Sequence, residues 1–136
     1  MEDFLKIMPD KEKAKSILKM VNITLEMIKL IDKNKFPSNV IKEYYEVIRE
    51  LISIILLLDG YKAIGEKAHK KQIEYLESKC KEFNKPEIML IDELRIIRNR
   101  ISYDGFFIKN NYVNRRYKEI KEIIIKLKSI VNKKIT

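Results

Sequence analysis

Between Asn39 and Leu58 the apolar residues Val40, Ile41, Tyr44, Val47, Ile48, Leu51, Ile52, Ile54, Ile55 and Leu58 recur at helical spacing. They cover nearly the whole circumference of a helix towards its C-terminal end. A helix that is apolar all round must be covered on every side, either at the centre of a bundle or against a second subunit. In a bundle this small the expectation is a dimer contact. Every other element has to be arranged around that demand.

The other apolar repeats are also helical. A first helix is expected from about Asp10, an N-cap after Pro9, to Ile31, with Ala14, Ile17, Leu18, Val21, Leu25 and Ile28 in its stripe. A third runs from about Glu66 to Phe83 on His69, Ile73, Leu76, Cys80 and Phe83. A fourth runs from about Glu87 to Ser102 on Leu90, Ile91, Leu94, Ile97 and Ile101. A fifth runs from about Asn111 to Asn132 on Val113, Tyr117, Ile120, Ile124, Leu127 and Val131. Gly60 suits a left-handed cap after the second helix, and Asp104-Gly105 stops the fourth. The connections are short, which favours antiparallel neighbours. No strand pattern, repeat or linker interrupts them. The expected fold is all-α: one domain over residues 1–136, an up-and-down four-helix bundle with a fifth helix.

Only three Gly and three Pro occur in 136 residues, too few for the turns of a sandwich or barrel. Cys80 is alone, so no disulfide framework forms within the chain, and a reducing, cytoplasmic compartment is expected. His69 is the one histidine, which leaves any metal to carboxylates, and no cofactor is called for. The most apolar run, Leu51 to Leu58, falls well short of the about 20 residues a membrane span needs. No signal peptide is read at the N-terminus.

The net charge of +9 suggests nucleic acid, but 23 of the 29 basic residues are Lys spread along the chain. Diffuse charge specifies no partner. The arginines are more informative. Arg95, Arg98 and Arg100 form one tight group, and Arg115 with Arg116 a second. Arg98 lies four residues after Leu94 and three before Ile101, at the margin of the fourth helix's apolar stripe. Arg95 and Ser102 share its flank. An Arg at such a margin needs a polar partner. That partner is either a carboxylate from a neighbouring helix or a phosphate, which suits the planar guanidinium fork.

The segment Arg98-Asn99-Arg100-Ile101-Ser102-Tyr103 resembles the hallmark of HEPN domains, small helical bundles marked by Arg, often Asn, then four to six residues to a His. The preceding Leu-Leu-Leu-Asp-Gly-Tyr and the following Asp104-Gly105-Phe106-Phe107-Ile108 are also similar to that family, and the helical layout agrees over nearly the whole chain. The resemblance implies a homodimer whose two motifs line one cleft and bind RNA or nucleotide phosphate. It also implies metal-independent RNase activity and a minimal nucleotidyltransferase partner in a toxin–antitoxin arrangement. Arg98 would hold phosphate, Asn99 would orient the motif, and Arg95, Arg100 and Ser102 would add phosphate contacts. Tyr103 stands at the His position. A phenol titrates near 10 against about 6.5 for imidazole, so it is a poor base at neutral pH and a better hydrogen-bond donor. The Tyr that the partner adenylylates in one branch of the family is matched here by Gly105. A non-catalytic binding module and a purely structural bundle dimer are the other readings. His69, on a stripe with Ile73 and Leu76, is expected to be a core histidine.

Overall fold

A computed structural model describes residues 3–136. The chain is all-α, with five helices and one short ribbon: β1 (Phe4–Lys6), α1 (Lys11–Lys29), α2 (Pro37–Asp59), β2 (Tyr61–Ala63), α3 (Ala68–Lys79), α4 (Lys85–Asp104) and α5 (Asn110–Ile135). The helix ends are set by local chemistry. Asp10 caps α1 by accepting a hydrogen bond from the Lys13 amide at 2.9 Å. Pro37 opens α2, where its missing N–H costs nothing. Gly60 closes α2 at φ 90°. A Cβ there would also sit a tight 3.2 Å from the Ile7 carbonyl oxygen, so the positive φ calls for glycine and the space favours it. The third helix is shorter than its apolar repeat suggests, because Cys80 turns extended and Phe83 belongs to the following turn.

The centre of the molecule is α2, which packs against all four other helices and β2. Leu51 and Ile55, expected at a dimer contact, are each 0% exposed within the single chain. The apolar girth of α2 is thus used up inside one chain, and its argument for a second subunit falls away. Cys80 is buried in the same core.

The ribbon is the element that sequence patterning did not show. β1 and β2 pair antiparallel in the register Phe4↔Ala63, Leu5↔Lys62 and Lys6↔Tyr61. Strands of three residues are too short to display an alternation. The ribbon lays Phe4 and Tyr61 against Tyr75 of α3, with ring centroids 5.7 Å and 6.1 Å away. Below it, Asp59 at the end of α2 accepts from the Tyr75 hydroxyl and the Lys134 ammonium, both at 2.7 Å. One carboxylate thereby ties α2 to α3 and α5. Burial, and then that bond to Asp59, raise the Tyr75 phenol above its usual value, so it remains a donor.

Removing a fully buried aliphatic side chain leaves a cavity. Leu51→Ala is expected to cost about 2–5 kcal/mol in urea unfolding. Leu51→Lys is expected to abolish the folded chain, read as lost cooperative unfolding by circular dichroism, and not to release folded monomers.

Candidate functional site

The candidate site is built on α4, whose start is fixed by a reciprocal cap. Asn84 accepts from the Glu87 amide and Glu87 accepts from the Asn84 amide, each at 2.9 Å. Lys126 of α5 donates to the same Glu87 at 2.8 Å. Burial works against the Glu87 charge, yet the Lys126 and Asn84 bonds outweigh it and hold the carboxyl below its ordinary value. Leu90, Ile91, Leu94 and Ile97 turn inward, and Gly105 closes the helix at φ 66°. The flank beside this stripe carries Arg95, Arg98, Asn99 and Tyr103.

These four residues line one pocket of about 460 Å³, opposite the turn and first residues of α3. Lys67, His69 and Lys70 form its facing wall. Four cations thus surround the pocket, with Glu66 as the one carboxylate in its lining.

Each arginine is already partly held. Arg95 donates to Asp92 at 2.8 Å. Arg98 donates to the Asn99 side-chain oxygen at 3.3 Å. Its Nε also lies 3.3 Å from Oε1 of Glu46 on α2. That contact is misaligned for a hydrogen bond, so both buried atoms lack a hydrogen-bond partner. The other oxygen of Glu46 takes two bonds from Arg49, at 3.1 Å and 2.8 Å. One carboxylate therefore faces two guanidinium groups, and of the two only Arg49 is hydrogen-bonded to it. Tyr103, 76% exposed, lies with its ring 6.0 Å from the Arg98 guanidinium carbon. The phosphate partner suggested by sequence would meet an Arg98 that Glu46 holds only loosely.

His69 belongs to this site rather than to the core. Its ring rests against the buried Tyr45 ring, centroids 6.3 Å apart, while its edge lines the pocket. Burial lowers its pKa below the usual imidazole value. The charges of Arg49, Arg98 and Arg95 push the same way, and Glu46 opposes them. The imidazole is therefore neutral at pH 7. The Tyr45 phenol is pushed up to about 12 by burial, against the pull of Arg95 and Arg49, and stays protonated. The sequence carried no sign of His69's place, because nothing in its own stripe tells which helix end stands across from it.

The remaining candidate residues lie elsewhere. Arg100 is two residues from Arg98, about 200° round the helix. Its guanidinium stacks 4.0 Å over the Phe106 ring, and it lines a different groove between α3, α4 and α5. That spacing could have separated the two arginines from sequence alone. Ser102 is exposed on the last turn of α4, outside the pocket lining. Arg116 pairs with Glu119 at 2.9 Å and faces the Arg100 groove, while Arg115 lies over the Tyr112 ring. The loop after α4 is anchored by the Ile108 amide, which donates to the Ser38 hydroxyl at 2.8 Å. Among the described residues, no group of three His, Cys, Asp or Glu side chains is placed to hold a metal ion. No helix among them is long and apolar enough to cross a membrane.

Comparison with known protein families, with characterised proteins and with solved structures finds no match.

His69 makes stability depend on pH. Its folded pKa is below the unfolded value, so on acidification the unfolded chain takes the proton first. The stability is fully present above the unfolded value of about 6.5 and is lost as pH falls towards the lower folded value. His69→Gln is expected to remove this part of the loss. The drop in urea midpoint between about pH 7 and about pH 5 is then smaller in the variant than in the parent chain.

Proposed function

We propose that this chain is a HEPN-type domain that holds a phosphate of RNA or of a nucleotide in the pocket between α3 and α4. The observation that carries the reading is the meeting of Arg95, Arg98, Lys67 and Lys70 with Asn99 and Tyr103 around one opening. Guanidinium groups suit phosphate because their donors match its oxygens in pairs. Arg98 is the ligand of first importance, since its Nε has no hydrogen bond to lose. Asn99 orients its fork, and Tyr103 offers an exposed hydroxyl as donor.

Homodimerisation belongs to the same reading, and the groove between α3, α4 and α5, which shares Lys70 with the phosphate pocket, is the face best suited to it. Met89 and Ile96 line it while 61% and 46% exposed. Around them the acids Glu74, Glu77, Asp92, Glu93 and Glu119 nearly balance Lys70, Lys85, Arg100 and Arg116. A face of mixed sign can meet its own copy, which a uniformly basic face cannot. The resemblance to HEPN domains adds a minimal nucleotidyltransferase as partner and a cytoplasmic setting.

A second reading, metal-independent RNA cleavage, is favoured by the neutral His69 imidazole at the pocket wall. Such a base could take the proton of a ribose 2′-hydroxyl as its oxygen attacks the phosphate held by Arg98, while the bond from phosphorus to the 5′-oxygen breaks and Tyr103 or water gives that oxygen its proton. Without cleavage, the chain is a binding module.

Binding of a labelled RNA is expected to weaken by about tenfold or more in Arg98→Ala, the scale of one lost charged hydrogen bond. Bound phosphate should raise the His69 titration followed by NMR. Unchanged affinity in Arg98→Ala would overturn the phosphate reading. In EDTA, cleavage lost in both Arg98→Ala and His69→Gln supports the RNase reading, and absent cleavage with retained binding supports the module. The paired change Met89→Glu and Ile96→Glu is expected to give a folded monomer by sedimentation.

A further inference from the structure

A second large groove lies away from the phosphate pocket, between α1 and α5, with a volume of about 860 Å³. We propose that this groove docks an acidic amphipathic helix of another protein.

The two walls run antiparallel. The turn that follows α1 meets the start of α5, where Asn114 donates to Asn34 at 3.0 Å and Lys33 lies 4.9 Å over the Tyr117 ring. The lining extends from Lys15 to Lys29 on one wall and from Tyr117 to Ile135 on the other. At 1.5 Å per residue these are about 21 Å and about 27 Å of helix, room for a ligand helix of four to five turns.

The floor and lips are apolar. Tyr44 and Ile124 are buried at the bottom, while Ile23 and Ile125 line the groove at 53% and 65% exposure. Neither exposed isoleucine is needed by the core. The rim is basic: Lys15, Lys19, Lys29, Lys121 and Lys128 stand around it, against Glu26 alone. Glu12 and Glu26 engage Lys15 and Lys29, and no ion pair engages Lys19 or Lys128 among the described residues. Lys121 donates to the Tyr117 hydroxyl at 3.4 Å. Burial would raise that phenol, but the Lys121 bond and the charges of Lys121 and Lys33 bring it below its ordinary value. The groove therefore holds positive potential over an apolar floor.

Charge and shape choose the occupant. A second copy would set lysine against lysine in a chain of net charge +9. A bilayer is flat and cannot fill a concave groove between two helices. A helix with an apolar stripe at i, i+3, i+4 and i+7, flanked by Glu or Asp, meets both the floor and the rim.

The test uses the full chain and a helical peptide of about 18 residues, Leu at the stripe positions and Glu elsewhere. Isoleucine-methyl NMR is expected to show shifts at Ile23 and Ile125, with Ile55 unmoved. The double change Ile23→Glu and Ile125→Glu is expected to weaken binding at least about tenfold by fluorescence anisotropy, with the melting temperature unchanged. Lys19→Glu with Lys128→Glu should weaken the Glu peptide and admit a Lys-flanked one. Arg98→Ala should bind the peptide as the parent does, which keeps this outcome separate from the phosphate reading. Three results would overturn the proposal: a scrambled peptide of the same composition that binds equally well, a self-associated parent chain that Ile125→Glu breaks up, or anionic phosphatidylglycerol vesicles that shift these methyls where the peptide fails.

Discussion

The need to cover α2 on nearly every side organises this molecule. Twelve of its residues are buried, and each neighbouring helix supplies part of the cover. Among its polar residues, Glu43, Glu46, Glu50 and Ser53 recur three or four apart and therefore form one narrow strip. Where that strip emerges, its carboxylates need partners, and Arg98 of α4 stands within reach of Glu46. The position of the candidate pocket is thus a by-product of core packing. Arginines gather at a seam where the central helix turns polar.

The pocket is only partly neutralised at rest, because Lys67 and Lys70 add charge that Glu66 alone does not balance. Glu46 is shared between Arg49 and Arg98, and the Arg49 bonds are the shorter and better aligned. A charge pair of this kind costs desolvation on both sides, so its loosening is inexpensive when a better anion arrives. The neighbouring His69 is kept uncharged by burial and by the same arginines. Under the proposed phosphate reading, an incoming anion would supply the negative charge that Arg98 only half receives from Glu46.

Helix number, the Asp10 cap and the glycine stops were legible in the sequence because each depends on residues close together along the chain. What stood across from what was not. The girth of α2 reads equally as a buried centre or a subunit contact, and four helices of one chain proved sufficient to cover it. His69 shares an apolar stripe, yet it opens α3 at a point where α4 presents its arginines. The ribbon escaped because three residues per strand carry no period. Arg100 was grouped with Arg98 by nearness in sequence, while helix geometry turns it to the other face.

Because α5, one of the main covers of α2, follows it only after residues 60–109, synthesis separates the two by fifty residues. Until α5 has left the ribosome, a strongly apolar helix has an uncovered side. A chain in which α2 has been made and α5 has not is therefore the form most exposed to aggregation and chaperone capture.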